Sequence, residues 1–348
     1  MKGGLRVCVP GWLLFFAVIT PVFAQEAPLN LGLPTDNAAL LRGDNSEFYQ
    51  YVQRNLHGVI SYPWEGGQYG FVRDPVETSV GTIMTRFHEG MDVKPVLRDA
   101  RGEPLDEVRA IASGTVVYAN KVAGHSNYGR YVVVEHRFGG CPYYSLYGHL
   151  NTIAVEAGQP VKQGEKLAIM GHTGDGINRE RSHVHVELNL MLNDHFEQWH
   201  DATFKGDPNR NGIYNGINLA GLDLPRLYLA LQKNSALTIP AFLAKEEVFY
   251  KVILPNSGNF QLPQRYPWMI AGLPNDKPDS WEVSFTRSGL PLRVQPSNRS
   301  VRDAEISFVK SSPIDYRSLT RGNLAGRGSK ARLTDSGKSL MRLLTFPN

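Results

Sequence analysis

The chain has almost no cysteine: Cys8 and Cys141 are its two in 348 residues. If Cys8 leaves with a cleaved leader, one thiol remains, and an intramolecular disulfide is excluded. Long apolar runs are scarce as well. The stretch Trp12 to Thr20 is broken by Pro21, short of the roughly 20 residues that a spanning helix needs, and no later segment is long and apolar enough to cross a bilayer. A strong excess of one charge is absent, since the formal net charge is +4, which argues against a nucleic-acid partner. No G-x-S-x-G, P-loop or Rossmann glycine pattern stands in a suitable context, and no repeat of fixed period is visible.

What is present begins with the leader. Lys2 and Arg6 precede the apolar stretch, and Val22-Phe23-Ala24 offers acceptable residues at a cleavage site. Residues 1–24 therefore read as a secretory signal, favoured over an uncleaved N-terminal anchor, and with no cysteine placed for a lipid anchor. Its removal would take the net charge from +4 to +2. The expected location is exported, in the periplasm or outside the cell, with no stable membrane insertion afterwards. A composition that is 42% hydrophobic and 20% charged supports sizeable cores and about two domains.

The expected organisation has four parts. After the signal, residues 25–82 form a linker and a short packing segment: Gln25 to Asn45 reads as flexible, and Glu47 to Leu56 as a short helix with Phe48, Val52 and Leu56 four apart. Residues 83–195 have β texture. Thr115–Tyr118, Tyr131–Glu135, Tyr143–Tyr147 and Val184–Leu190 are rich in β-branched and aromatic residues, punctuated by Gly, Asn and Pro, which predicts antiparallel strands joined by short turns. Residues 196–348 form a mixed α/β accessory region. There Asp223 and Pro225 open a helix, Pro240 to Glu247 offers a second, and Trp281–Phe285 and Ala304–Val309 read as strands of a small β-rich domain.

Three segments of the β-rich part carry candidate chemistry. In Phe87-His88-Glu89-Gly90-Met91-Asp92, a His and an Asp lie four apart around a Gly, which suits a turn better than a helix. In Ser182-His183-Val184-His185-Val186-Glu187, strand alternation sends His183, His185 and Glu187 to one face and Val184 and Val186 to a core. Tyr147-Gly148-His149-Leu150 ends an aromatic strand. Each piece alone is a weak signal, and their combination in one domain is a strong one.

In this order, F-H-x-G-x-D, Y-G-H-L and H-V-H-x-E, the segments resemble the lysostaphin/LytM-type zinc endopeptidases. The intervening Ala112–Val117, Gly129–His136, Gly158–Gly164 and Ile169–Gly174 resemble that family's strands and glycine-marked turns. The resemblance spans about residues 83–193. It implies a mainly β fold, an antiparallel LytM-type domain resembling a duplicated-hybrid-motif barrel, with an open groove over one zinc ion. By motif, His88, Asp92 and His185 resemble the family's three zinc ligands, and His149 and His183 its two catalytic histidines. All five positions are filled, whereas some relatives have lost them and act only as regulators. Ser182 and Val184 stand where Pro and Leu are common, His172 occupies a turn that usually holds a small polar residue, and Val96 to Glu107 is a longer insert; these departures bear on groove shape rather than on the metal.

The chemistry suits the residues. Zinc takes His nitrogen and carboxylate oxygen, and three protein ligands leave a fourth position for water. Histidine, with an unperturbed pKa near ~6.5, can both accept and return a proton. Glu187 is read either as a partner of a ligand histidine or as a solvated or structural carboxylate, and Tyr147 as a packing residue. His57, His125, His136, His172, His195 and His200 lack complementary spacing and read as structural or exposed, and Cys141 as incidental. The basic run Arg317, Arg321, Arg327, Lys330 and Arg332 reads as a solvated loop, with contact to anionic wall polymers as the sharper alternative. The expected function is zinc-dependent hydrolysis of peptide cross-links or stem peptides of peptidoglycan by a metal-activated water. The alternatives are a secreted protease acting on protein, and a non-enzymatic module that binds wall or activates another hydrolase.

Overall fold

A computed structural model describes residues 28–272 and 278–347; the expected secretory signal, residues 1–24, lies outside the described residues. The central sheet is organised around strand Val184–Met191, every residue of which is buried. Val184, Val186, Leu188 and Leu190 point into the main core, each contributing about 1.5–3 kcal/mol by leaving water. His185, Glu187 and Asn189 occupy the opposite face. The seven-stranded sheet runs in the order Pro160–Val161, Gly114–Asn120, Arg130–Phe138, Cys141–Leu150, Val184–Met191 and Leu219–Gly221, with Met91–Val93 also paired to Val184–Met191. Neighbours are antiparallel throughout. A three-stranded sheet, Thr152–Ile153, Lys166–Ile169 and Glu107–Arg109, accompanies it. The fold is mainly antiparallel β, the class expected.

Upstream of this sheet the structure departs from expectation. Gln25 to Asn45, expected to be flexible, is held against the sheet over its described part. Gly32 N donates to Ile111 O (2.7 Å) and Arg109 N to Pro34 O (2.8 Å), while Leu29 and Leu40 enter the core. The helix expected over Glu47 to Leu56 is limited to Asn45–Phe48. Beyond it, Gln50 N donates to Asp92 O (2.9 Å), and Lys94 N donates to Phe48 O (2.9 Å), so backbone bonds to the Met91–Val93 strand replace a longer helical ladder. Leu56 then falls in a hairpin, Arg54–Leu56 with Val59–Ser61. A longer hairpin, Gly70–Thr78 with Gly81–His88, delivers His88 to the sheet.

Beyond residue 195 the chain does not separate into an independent core. Leu219–Gly221 adds a strand to the central sheet. The helix Leu224–Lys233 begins as expected, with Asp223 accepting from Arg226 N and Pro225 in the first turn. A short helix, Ile239–Leu243, follows. A four-stranded antiparallel sheet runs Pro291–Ser297, Ser280–Phe285, Tyr250–Pro255 and Glu305–Val309. The closing helix Asp335–Thr345 was not expected; Thr334 caps it by accepting from Gly337 N. Met191 N donates to Tyr266 Oη (2.9 Å), and Asn193 Nδ2 donates to the carbonyls of Leu343 (2.7 Å) and Phe346 (2.8 Å). One continuous apolar cluster reaches from Leu29 to Leu344. Among the described residues, no helix is long and apolar enough to cross a membrane.

Because the two parts share a core, a fragment ending at residue 195 is expected to lose cooperative folding. Far-UV circular dichroism during a thermal melt checks this; a sharp transition like that of the whole chain would contradict it.

Candidate metal centre

Strand register builds the centre. His185 lies opposite Asp92 on one side and opposite Gly148 on the other. Asp92 follows Met91 in its short strand, and His88 ends the long hairpin, so the turn Glu89-Gly90 folds both side chains toward His185. Gly90 is required there: a Cβ would sit 2.4 Å from Val186 O and 2.9 Å from Glu187 Cγ. The ligating atoms converge. His88 Nε2 and His185 Nδ1 are 3.0 Å apart, and Asp92 Oδ1 lies 3.1 Å from the first and 3.0 Å from the second. Ligands of a tetrahedral zinc at ~2.0–2.1 Å stand about 3.3 Å apart, so this buried His-Asp-His group can hold a metal ion after shifts of a few tenths of an ångström.

His149 reaches the centre by a device that alternation does not foresee. On strand Cys141–Leu150, Tyr143 and Tyr147 face the main core, and a regular strand would send His149 the same way. Instead His149 has φ +62, a left-handed conformation that costs a non-glycine residue on the order of 1–3 kcal/mol. His149 N donates to Tyr128 O (2.8 Å), and its Nδ1–H to Thr173 O (2.9 Å), which turns the ring out of the core and over the groove. The Thr173 loop is pressed onto Gly129, where a Cβ would meet Thr173 C at 2.4 Å. The His149 ring packs edge-on to His183, with centroids 4.8 Å apart. Tyr147 stays in the core, accepting from Ile111 N (2.8 Å) and Ser145 Oγ (3.0 Å).

Each imidazole has one nitrogen occupied by a fixed acceptor, which selects its tautomer. His88 Nδ1–H donates to Gln68 O (2.7 Å), and His183 Nδ1–H to Arg181 O (2.7 Å), so both offer Nε2 to the centre. His185 works the other way: its Nε2–H donates to Glu187 Oε1 (2.7 Å), leaving Nδ1 inward. Glu187 is thus no solvated carboxylate. It is buried and also accepts from Tyr128 Oη (3.1 Å) and Asn189 Nδ2 (2.9 Å). Asp92 presents a single oxygen, because Arg73 Nη2 donates to Oδ2 at 2.5 Å.

Electrostatics follow from this packing. Burial, aided by the charges of His183 and His185, holds His149 well below its ordinary pKa, so the ring is neutral. Burial also lowers His88, with Arg73 and His185 adding to it against the pull of Asp92. Asp92 is opposed by burial, yet His88, His183 and Arg73 outweigh it and hold the carboxyl well below the usual range. For His185, burial is overcome by hydrogen bonds to Asp92 and Glu187, which raise it to about 10.

The centre lies in a groove of about 1370 Å³. Arg73 and Arg86 from the hairpin contribute to its lining, as do Tyr128 and, from the far end of the chain, Arg317 and Arg321. Arg73, Gln68 and Tyr128 also serve the centre, and no motif spacing marks them in the sequence. Arg317 and Arg321 of the basic run reach the groove, where a solvated loop was expected. The remaining histidines stay out of it: His136 is in the core bonded to Ser145 Oγ (2.7 Å), and His195 bonds Gln198. Two of the departures noted in the sequence meet each other, since His172 Nε2 lies 3.0 Å from Glu103 Oε2 in the Val96–Glu107 insert. Gly90→Ala is expected to cost about 1–3 kcal/mol by overpacking, read as a lower urea midpoint; an unchanged midpoint would show that the turn can yield.

Residues 86–196 match Peptidase family M23. The chain is 39% identical over 89 residues to Lipoprotein NlpD of Yersinia enterocolitica, covering 26% of this chain and 79% of that one. It is 38% identical over 91 residues to the Murein hydrolase activator NlpD of Escherichia coli, covering 26% of this chain and 21% of the relative. Two further curated relatives are spanned over only 33% and 19% of their length. The lysostaphin catalytic domain of Staphylococcus simulans is 26% identical, with 34% of this chain and 76% of that one covered, at a TM-score of 0.25. With its His-Asp-His centre and this match across the sheet that carries it, the chain belongs to peptidase family M23.

Proposed function

We propose that this protein is an exported zinc-dependent endopeptidase that hydrolyses peptide cross-links or stem peptides of peptidoglycan. In this reading His88, Asp92 and His185 hold the metal, and His149 and His183 are the catalytic pair. The observation that carries it is the convergence of His88, Asp92 and His185 in an open groove, with His183 Nε2 3.4 Å from Asp92 Oδ1 and the His149 ring packed against His183 and His185. Two imidazoles and a monodentate carboxylate are the donors zinc takes, and three ligands leave a position open. Bound there, zinc supplies Lewis acidity that polarises a carbonyl and brings a water toward ionisation near ~7.

The chain's own groups supply the rest. Neutral His149, its Nδ1–H engaged by Thr173 O, can accept a proton only at Nε2, on the groove side. His183 is fixed the same way by Arg181 O and offers Nε2 alongside. Either ring, once protonated, can donate to the oxyanion of a tetrahedral intermediate or return the proton to the departing amine. Glu187, with three donors on its two oxygens, keeps the His185 ring from turning. Relatives named as lipoproteins and murein hydrolase activators support a place in the cell envelope.

A second reading, a module that activates another hydrolase, draws on the name of the Escherichia coli relative. The complete donor set and the free groove favour hydrolysis. Digestion of purified peptidoglycan by the chain from Gln25, with products read by mass spectrometry, separates the two. New amino termini at one peptide bond are expected, abolished by a chelator. His149→Ala and His183→Ala should each lower the rate by about 10²–10⁴ while keeping stoichiometric zinc. Cleavage that survives both variants would sink the assignment. Separately, Glu187→Gln should weaken zinc binding by about 10–100-fold, measured by competition with a chromophoric chelator.

A further inference from the structure

We propose that the groove grips its peptide through carboxylates, with Arg86 and Arg317 as the specificity-determining residues that receive an acidic group flanking the bond to be cut. This rests on the endopeptidase reading above and deepens it. Six arginines line the groove against four acidic side chains. Two of the six are already neutralised: Arg73 by Asp92, and Arg321 by Glu89. Arg54 and Arg181 are drawn toward the walls, donating to Val72 O (2.5 Å) and Gly176 O (3.2 Å). Arg86 and Arg317 are exposed, and their guanidinium groups have no acceptor among the described residues.

Both are carried on ordered backbone. Arg86 sits opposite Arg73 in the hairpin register, and directly opposed residues of an antiparallel pair share a face. Arg73 leaves that face to reach Asp92, so Arg86 leaves it toward the same centre. Arg317 stands in a turn with little freedom. Asp315 accepts from Arg317 N (2.9 Å) and Gly326 N (3.2 Å), Gly322 N donates to Arg317 O (3.1 Å), and Thr320 Oγ1 donates to the carbonyl of buried Tyr316 (2.8 Å). Arg321 leaves the same turn at φ +54 and stacks over Phe87, next to His88, with its guanidinium carbon 5.1 Å from the ring centroid. Its ion pair with Glu89 ties the turn to the segment between His88 and Asp92. A guanidinium held this way keeps its fork for a planar anion, and a carboxylate fits that fork with two parallel hydrogen bonds. Less freedom remains to be lost on binding. The C-terminal region is therefore part of the substrate site, and the charge of the groove selects acidic peptides.

The test uses a labelled stem tetrapeptide with its carboxylates free, and the same peptide with each converted to a carboxamide. Binding to the zinc-loaded full chain carrying His183→Ala, which should not cut, is read by fluorescence anisotropy. The free acid should bind about tenfold or more tighter. Arg317→Ala and Arg86→Ala, each added to this background, should narrow the gap, and Arg317→Lys should keep part of it. Arg327→Ala, from the same basic run but outside the groove, should leave the gap intact. In the active protein, Arg317→Ala should act on KM for the acid peptide more than on kcat. Equal affinity for the two peptides would overturn the proposal, as would arginine variants that weaken both alike. A preference for the acid peptide in a protein that cuts neither would support the carboxylate site while ending the endopeptidase reading, so the two can fail separately.

Discussion

The structure depends on the register of one strand. Val184–Met191 lies between Cys141–Leu150 and Met91–Val93, and its alternation sends four apolar side chains to the core and His185, Glu187 and Asn189 to the groove face. A slip by one residue would exchange those sets, burying carboxylate and imidazole in the apolar core. The core thus holds the centre in place: the same pairing that buries Val184 and Val186 sets His185 against Asp92. Burying four rings and two carboxylates in one place is unfavourable unless each is hydrogen-bonded. Here the carbonyls of Gln68, Thr173 and Arg181, with Glu187 and Arg73, meet that need. Such a network is rigid when complete and costly when broken, which makes these outer partners as structural as the donors they orient.

The groove is assembled from distant parts of the chain. Its floor belongs to the central sheet. One wall is the Gly70–Thr78 and Gly81–His88 hairpin, which brings Arg73 and Arg86, and another comes from the turn around Arg317 and Arg321. The Val96–Glu107 insert braces the segment before His183, since Arg98 Nη1 donates to Arg179 O (2.9 Å). A shared apolar core, an added strand at Leu219–Gly221 and the Asn193 hydrogen bonds fix the C-terminal region onto the sheet. Groove shape and groove charge are consequently properties of the whole chain, while the candidate donors belong to about a third of it.

The parts legible in the sequence are those with a short-range physical signature. Period-two alternation exposed the strands and the shared face of His185 and Glu187, and Gly90 between His88 and Asp92 indicated a turn. Asp223 followed by Pro225 marked a helix start. Where tertiary contacts compete, local spacing misled. Phe48, Val52 and Leu56 lie four apart, yet Gln50 N donates to Asp92 O and Lys94 N donates to Phe48 O instead. Leu29 and Leu40 sit in a segment rich in Pro and Asn, and only the sheet surface waiting for them makes it ordered. The closing helix Asp335–Thr345 was obscured by Ser336, Gly337 and Ser339, and its apolar side gains meaning only against the four-stranded sheet.

The candidate donor residues, their order and the antiparallel β scaffold could be read from the amino-acid order alone, because each is written in residues close together along the chain. The remainder came from packing across the fold. It turned His149 out of the core through a left-handed backbone that alternation cannot anticipate. It chose the ring nitrogens through carbonyls that carry no side-chain signature. It also brought Arg73 and Arg317 to the same groove from positions 244 residues apart. Hydrogen bonding to backbone and proximity across the fold leave no periodic trace in the order of amino acids, and the folded chain is where they first exist.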